Sequence, residues 1–152
     1  MNYWLLKSEP DVFSIADLAR RPGRTEHWDG VRNYQARNYL RDGMRRGDLA
    51  FFYHSSCAVP GIAGIVEIVR EGYPDFTAFD PGHPHHDPAS TPDKPRWYMV
   101  DVRLQRSFKH VISLQKLKAC PALAGMQLLA RGNRLSVMPV TAAEWSAILA
   151  LE

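Results

Sequence analysis

From Val102 to Thr141 the sequence contains no aspartate or glutamate. Seven basic residues stand in that stretch: Arg103, Arg106, Lys109, Lys116, Lys118, Arg131 and Arg134. The whole chain has 19 Lys+Arg and 16 Asp+Glu in 152 residues, so everything outside the stretch is net acidic, and the formal charge of +3 hides a partition. Such a run points to a surface for an anion, most simply a nucleic-acid backbone. Cysteine is also scarce. Cys57 and Cys120 are far apart with no C-x-x-C pair, which argues against a disulfide framework or a cysteine zinc cluster. No apolar run reaches the roughly 18 residues of a membrane span. Residues Met1 to Lys7 show no basic leader or small-residue cleavage site before an apolar stretch, so the expected location is cytoplasmic. Repeats and low-complexity tracts are absent.

The composition that remains, 45% hydrophobic and 23% charged, suits one compact core, with residues 1–152 as a single domain. Tyr3 to Lys7 reads as a buried strand stopped by Ser8-Glu9-Pro10. Ser14 with Asp17 predicts a capped helix ended by Pro22-Gly23, and residues 24–32 read as a loop. Asn33 caps a second helix through about Arg41. Leu49 to His54 and Ile62 to Val69 are strands around a Pro60-Gly61 turn. Six prolines between 74 and 95 predict a long surface loop. Trp97 to Leu104 is a further strand, followed by a short helix near Leu114 to Lys118, a small strand over Leu135 to Met138, and a helix from Ala142 to Leu151 with a Thr141–Glu144 capping box. Strands interleaved with short helices predict an α+β domain with a mixed, curled sheet.

Polar and aromatic groups at the ends of apolar strands mark candidate binding loops. They are Lys7-Ser8-Glu9-Pro10, the segment from Trp28 through Arg32, Asn33 and Tyr34, Tyr53-His54-Ser55, and Ser136-Val137. Trp28 sits among small and polar neighbours, so it either offers a flat face for stacking or folds over its own core. The Glu9 carboxylate suits an exocyclic base amine, or a salt bridge to Lys7 or Arg32.

These residues, with Gly61-Ile62-x-Gly64, Trp97-x-x-Val100-Asp101-Val102 and Leu135-Ser136-Val137-x-Pro139-Val140, resemble the EVE domain from Tyr3 to Trp145. That family belongs to the PUA-like superfamily and is similar to YTH domains, which hold a modified adenine of RNA in an aromatic cage. The resemblance implies a PUA-like curled mixed β-barrel flanked by short helices, and a pocket for a flipped, modified base of DNA or RNA. It places Lys7 and Ser8 at the end of the first strand and Trp28 in the cage. Asn33 and Tyr34 would line the same wall, with Tyr53, His54 and Ser55 opposite and Ser136 and Val137 at the floor. Trp97 would close the cage or pack beneath it. Arg103, Arg106, Lys109, Arg131 and Arg134 become candidates for flanking phosphates, and Lys116 and Lys118 for a solvated face. The implied function is non-enzymatic binding of a modified nucleobase, with nucleic acid as the partner and no cofactor.

A methyl group gains about 0.8 kcal/mol by simple burial and about 1–3 kcal/mol in a pocket shaped to it, so a snug wall prefers the modified base by only about tenfold to a hundredfold. Gly82-His83-Pro84-His85-His86-Asp87-Pro88 offers four potential metal ligands in five residues, but its adjacent, proline-interrupted positions predict no convergence and hence no metal site. The family usually carries tyrosines at positions 85 and 86. The alternative reading, implied by resemblance to PUA-like domains that are hydrolases with a Lys and a Glu in such a pocket, is a hydrolase of an acylated nucleoside; the spacing of Lys7 and Glu9 permits both to share one strand face and act as base and acid. A protein-docking module with a vestigial pocket is a third.

Overall fold

The computed structural model describes residues 1–152. The first strand is β1 (Tyr3–Ser8), whose Trp4, Leu5 and Leu6 are all buried. A strand covered on both faces has no need to alternate, which is why this segment is a continuous apolar run. It pairs in parallel with β3 (Leu49–His54), Leu5 opposite Phe51, and antiparallel with β6 (Val137–Val140), Leu5 opposite Met138. The strand β4 (Gly61–Pro74) continues from β3, β5 (Tyr98–Ser113) from β4, and the short β2 (Thr25–His27) edges β5. The result is one mixed six-stranded sheet in the order β2-β5-β4-β3-β1-β6. Four register shifts along the β4–β5 pair curl it, since each bulge bends and twists its strand.

Three differences from the sequence reading concern this sheet. Residues 25–27 are a strand rather than loop, and β4 runs on past Val69. β5 continues past Leu104 because Leu104, Phe108 and Ile112 recur at intervals of four and stay on the buried face while Arg103, Gln105 and Lys109 face water.

The helices are short and tied down by their caps. In α1 (Ile15–Ala19) both halves of the capping box form, Asp17 N–H to Ser14 Oγ at 3.1 Å and Ser14 N–H to Asp17 Oδ2 at 2.9 Å. Ala36 N–H donates to Asn33 Oδ1 at the head of α2 (Tyr34–Asn38), which runs into a π-helical turn at Tyr39–Gly43. Ser113 caps α3 (Leu114–Lys118), and the Thr141–Glu144 box starts α4 (Ala142–Leu149). α4 docks through Trp145, stacked on Phe51 at 3.9 Å and on Tyr3 at 4.4 Å between ring centroids. No helix is long and apolar enough to cross a membrane.

The proline-rich segment is not a simple surface loop. Asp75, Thr77, Ala78 and Ser90 are buried in it. Thr77 N–H and hydroxyl both donate to Asp75 Oδ1, which starts a single 3-10 turn over Phe76–Phe79. Side-chain hydrogen bonds to its own backbone let this segment pack without a helix or ladder.

Candidate nucleic-acid interface

The ends of β1 and β2, the loop at 28–31, the turn at 83–85 and Ser136 enclose a cavity of about 790 Å³. That lies within the range of about 300–1,000 Å³ typical of ligand pockets. Of the residues expected at a base site, Lys7, Ser8, Glu9, Trp28 and Ser136 line it.

Each of these has a definite state. Ser8 Oγ–H donates to Phe13 O at 2.6 Å, so the hydroxyl holds the 9–13 turn and keeps only acceptor capacity for a ligand. Glu9 is exposed, and its carbonyl accepts the N–H groups of Val12 and Phe13 at 2.9 Å each, which fixes the turn and leaves the carboxylate side chain free in the cavity. Neither expected partner reaches it: Arg32 bonds Asp75 instead, and the Lys7 ammonium lies 5.8 Å from the centre of the Tyr53 ring. Partial burial, without a carboxylate to offset it, lowers the pKa of Lys7 below its ordinary value. Lys7 N–H donates to Ser136 O at 2.8 Å and joins the floor to β1.

Trp28 is at once part of the core and part of the cavity wall. Only 6% exposed, it belongs to the core, edge-packed on Phe52 at 5.3 Å and 89° and on Phe13 at 6.3 Å and 76°. It also lines the cavity. Since no buried polar side-chain atom lacks a partner, its indole N–H, which bonds nothing in the protein, is open to solvent.

The other expected site residues lie elsewhere, for identifiable reasons. Tyr53 is buried under the Lys7 side chain and does not line the cavity. His54 Nε2 accepts the Ile15 N–H at 3.2 Å and Ser55 N–H donates to Ser8 O at 3.0 Å, so both brace the 8–15 segment from behind. Burial pulls the His54 imidazole below its ordinary pKa. Pro10 shapes the turn outside the lining, and Val137 is buried opposite Leu6. Trp97 is buried but does not line the cavity. Its Nε1–H donates to Asp87 Oδ2 at 2.6 Å, and Tyr34, half-exposed, stacks on it at 4.8 Å. Arg32 lies over the same indole, 5.4 Å from its centre, and clamps the proline-rich segment through Asp75 Oδ2 at 3.0 Å and His85 O at 2.7 Å. Asn33 is spent on the α2 cap. The resemblance to an aromatic cage thus narrows to one tryptophan with Phe13 beside it.

The wall that the sequence reading missed is formed by Glu26, His27, Asp29, His83 and His85. Two of these come from the segment predicted to stay apart, because Arg32 draws the backbone at His85 onto the 30–32 loop. The imidazole of His85 packs on Gly30, whose φ of +82° and lack of a Cβ are both required: a side chain there would run into the ring. Of the phosphate candidates, Arg131 and Arg134 line a second, open cavity of about 410 Å³ with Asn33, Gln35 and Leu135, one residue along the chain from Ser136. Arg103 and Arg106 are instead paired with Glu67, at 2.7 Å, and with Glu152. Lys109 is exposed on β5 away from both cavities. The acid-free stretch is therefore not one positive face, because acids from distant positions fold onto its first half. Lys116 Nζ donates to Leu151 O at 2.9 Å and ties down the C-terminal segment.

Comparison with known proteins bears on this site. Human thymocyte nuclear protein 1 is 47% identical over 168 aligned residues, covering 99% of this chain and 74% of that protein. A crystal structure of the human protein in complex with DNA containing 5-methylcytosine superposes with a TM-score of 0.94, over 99% of this chain and 97% of that one. A crystal structure from Pseudomonas putida is 54% identical with a TM-score of 0.94, covering 98% of each chain. An ASCH protein from Zymomonas mobilis, at 11% identity and a TM-score of 0.55 over 99% of this chain and 95% of that one, shares the fold alone. The model of the EVE domain matches residues 2–151, and with these relatives it shows that the chain belongs to the EVE domain family.

Proposed function

We propose that this protein binds DNA carrying a modified cytosine without catalysing a reaction, by taking the flipped base into the cavity bordered by Trp28, Glu9 and Lys7. The observation that carries the reading is the unpaired polar set on that wall: the Glu9 carboxylate, the Trp28 N–H and the Lys7 ammonium have no charged partner or acceptor of their own. An acceptor and two donors on one cavity wall match the edge of cytosine, which offers the N4 amine as donor and its ring carbonyl and N3 as acceptors. Extrusion of the base from the duplex costs a few kcal/mol, and stacking on an aromatic side chain returns about 1–3 kcal/mol. The rest of the affinity comes from phosphates, for which Arg131 and Arg134 are free and Arg103 and Arg106 are not. The human relative's complex with 5-methylcytosine DNA supports the choice of cytosine and of DNA. Titration of oligonucleotides bearing one 5-methylcytosine against wild type and Trp28→Phe tests the reading. Equal affinity for methylated and plain DNA, or no effect of the substitution, refutes it.

The hydrolase alternative rests on one observation, that Lys7, lowered in pKa, and Glu9 share the cavity. Turnover of an acylated cytidine that Lys7→Ala abolishes would establish it in place of the binding role.

A further inference from the structure

We infer that Asp29, His83 and His85 form a site for a first-row divalent cation, zinc being the best match, on the wall of the cavity. Asp29 Oδ2 lies 3.1 Å from His85 Nδ1 and 3.9 Å from His83 Nε2, and the three donor atoms fall within 4.8 Å of one another. Around zinc, with bonds of about 2.0–2.2 Å, tetrahedral donors stand about 3.4 Å apart, so closing the set needs side-chain movements of about 1 Å or less. Two imidazoles and a carboxylate are a zinc-type donor set.

Three features show that the cluster is held in place. Asp29 has no lysine or arginine partner; the charged or titratable groups facing its oxygens are imidazoles, His27 Nε2 lying 3.9 Å from Oδ1. The two chain segments are cross-linked beneath it, Gly30 N–H to Asp75 Oδ2 at 2.9 Å and Arg32 to both Asp75 and His85 O. His27 flanks the cluster, with Nδ1 2.9 Å from Glu26 Oε1 and Nε2 on the Asp29 side. His27 or water completes the coordination.

The tautomers say what the cation must change. His83 Nδ1 accepts the His85 N–H at 3.0 Å, so in the neutral ring the proton sits on Nε2. His85 Nδ1–H faces the Asp29 carboxylate. A cation bound at His83 Nε2 and His85 Nδ1 displaces both protons to the other nitrogen of each ring and replaces the His83–His85 hydrogen bond with a metal bond. None of its ligands is Trp28, Glu9 or Lys7, so metal binding can be measured without DNA and its failure is distinguishable from failure of base binding.

Isothermal titration of the purified protein with zinc chloride, and absorption titration with cobalt chloride, test the site in wild type, His83→Ala, His85→Ala and His86→Ala. The expected result is one equivalent bound at micromolar concentration or tighter, with intense visible cobalt bands of four-coordination. Affinity should fall at least tenfold in His83→Ala and in His85→Ala and stay unchanged in His86→Ala, a neighbour outside the cluster. Thermal melts without metal keep the variants comparable. Binding only at millimolar zinc, affinity unchanged in His83→Ala or His85→Ala, or an equal loss in His86→Ala would overturn the site.

Discussion

Replacing Glu9 separates recognition from folding more cleanly than any other change at this pocket. Its side chain is exposed, without a cationic partner, and the turn around it is held by backbone bonds to Val12 and Phe13. Glu9→Ala is therefore expected to change stability by no more than about 0.5 kcal/mol. If the carboxylate accepts from the cytosine N4 amine, removing it loses about 1–3 kcal/mol, or roughly 5- to 150-fold in affinity. Glu9→Gln should fall between the two, since its amide oxygen still accepts but a charge-assisted bond is about twice as strong as a neutral one. Fluorescence anisotropy with a methylcytosine duplex, at fixed salt, measures the affinity, and a thermal melt supplies the stability control. A second duplex with thymine at the target position should lose little on mutation, because it has no amine to donate. Affinity for the cytosine duplex that is unchanged in Glu9→Ala, or an equal loss for both duplexes, would refute the assignment of Glu9 to the base edge.

Further outcomes follow from the same geometry. Trp28→Ala should lose about 3–5 kcal/mol of stability by chemical denaturation, because the indole is part of the Phe13–Phe52 packing, whereas Trp28→Phe should fold and show weakened binding. Arg131→Gln and Arg134→Gln should each flatten the log-affinity against log-salt slope by about 0.9, and Arg103→Gln and Arg106→Gln should leave it unchanged. Burial alone would raise the Asp75 carboxyl, but hydrogen bonds from Thr77, Gly30 N–H and Arg32 outweigh it and hold the pKa below the usual carboxylate range. A depressed carboxylate stabilises above its unfolded value of about 3.9 and loses that contribution as pH falls through the folded one, so melting temperature should drop below about pH 4. Asp75→Asn should be less stable at neutral pH by about 3 kcal/mol, with Arg32 left without its buried partner, and should show a shallower acid decline.

Much of this fold was legible because its signals are local. Ser14–Asp17, Asn33 and Thr141–Glu144 are caps that act over three residues, and Leu49 to His54 is apolar enough to demand burial. What was not legible depends on partners distant in sequence. Thr25–His27 is too short and polar to read as a strand, and exists because β5 offers it an edge. Likewise Arg103 and Arg106 look free until Glu67 and Glu152 fold onto them. The candidate site divides the same way. Lys7, Ser8 and Glu9 stand at the end of a strand whose burial fixes where they emerge, so they were found. His54 and Ser55 occupy the matching end of β3, opposite Ser8 and behind the cavity, and the motif alone could not tell front from back. His83 and His85 reach the cavity only through Arg32 and Gly30, a tertiary arrangement that leaves no spacing signal of its own.

The central claim is that the cavity reads a modified cytosine in DNA, and a competition titration tests it most directly. Duplexes identical but for one 5-methylcytosine, one cytosine, or the corresponding RNA strand would compete for wild-type protein at fixed salt. Burial of one methyl group, about 0.8 kcal/mol, predicts about fourfold tighter binding of the methylated duplex, rising to about tenfold or more if the wall fits snugly, and predicts that Trp28→Phe reduces this margin. Indistinguishable affinities for methylated and plain duplexes would contradict it, as would a preference that survives unchanged when Trp28 is replaced.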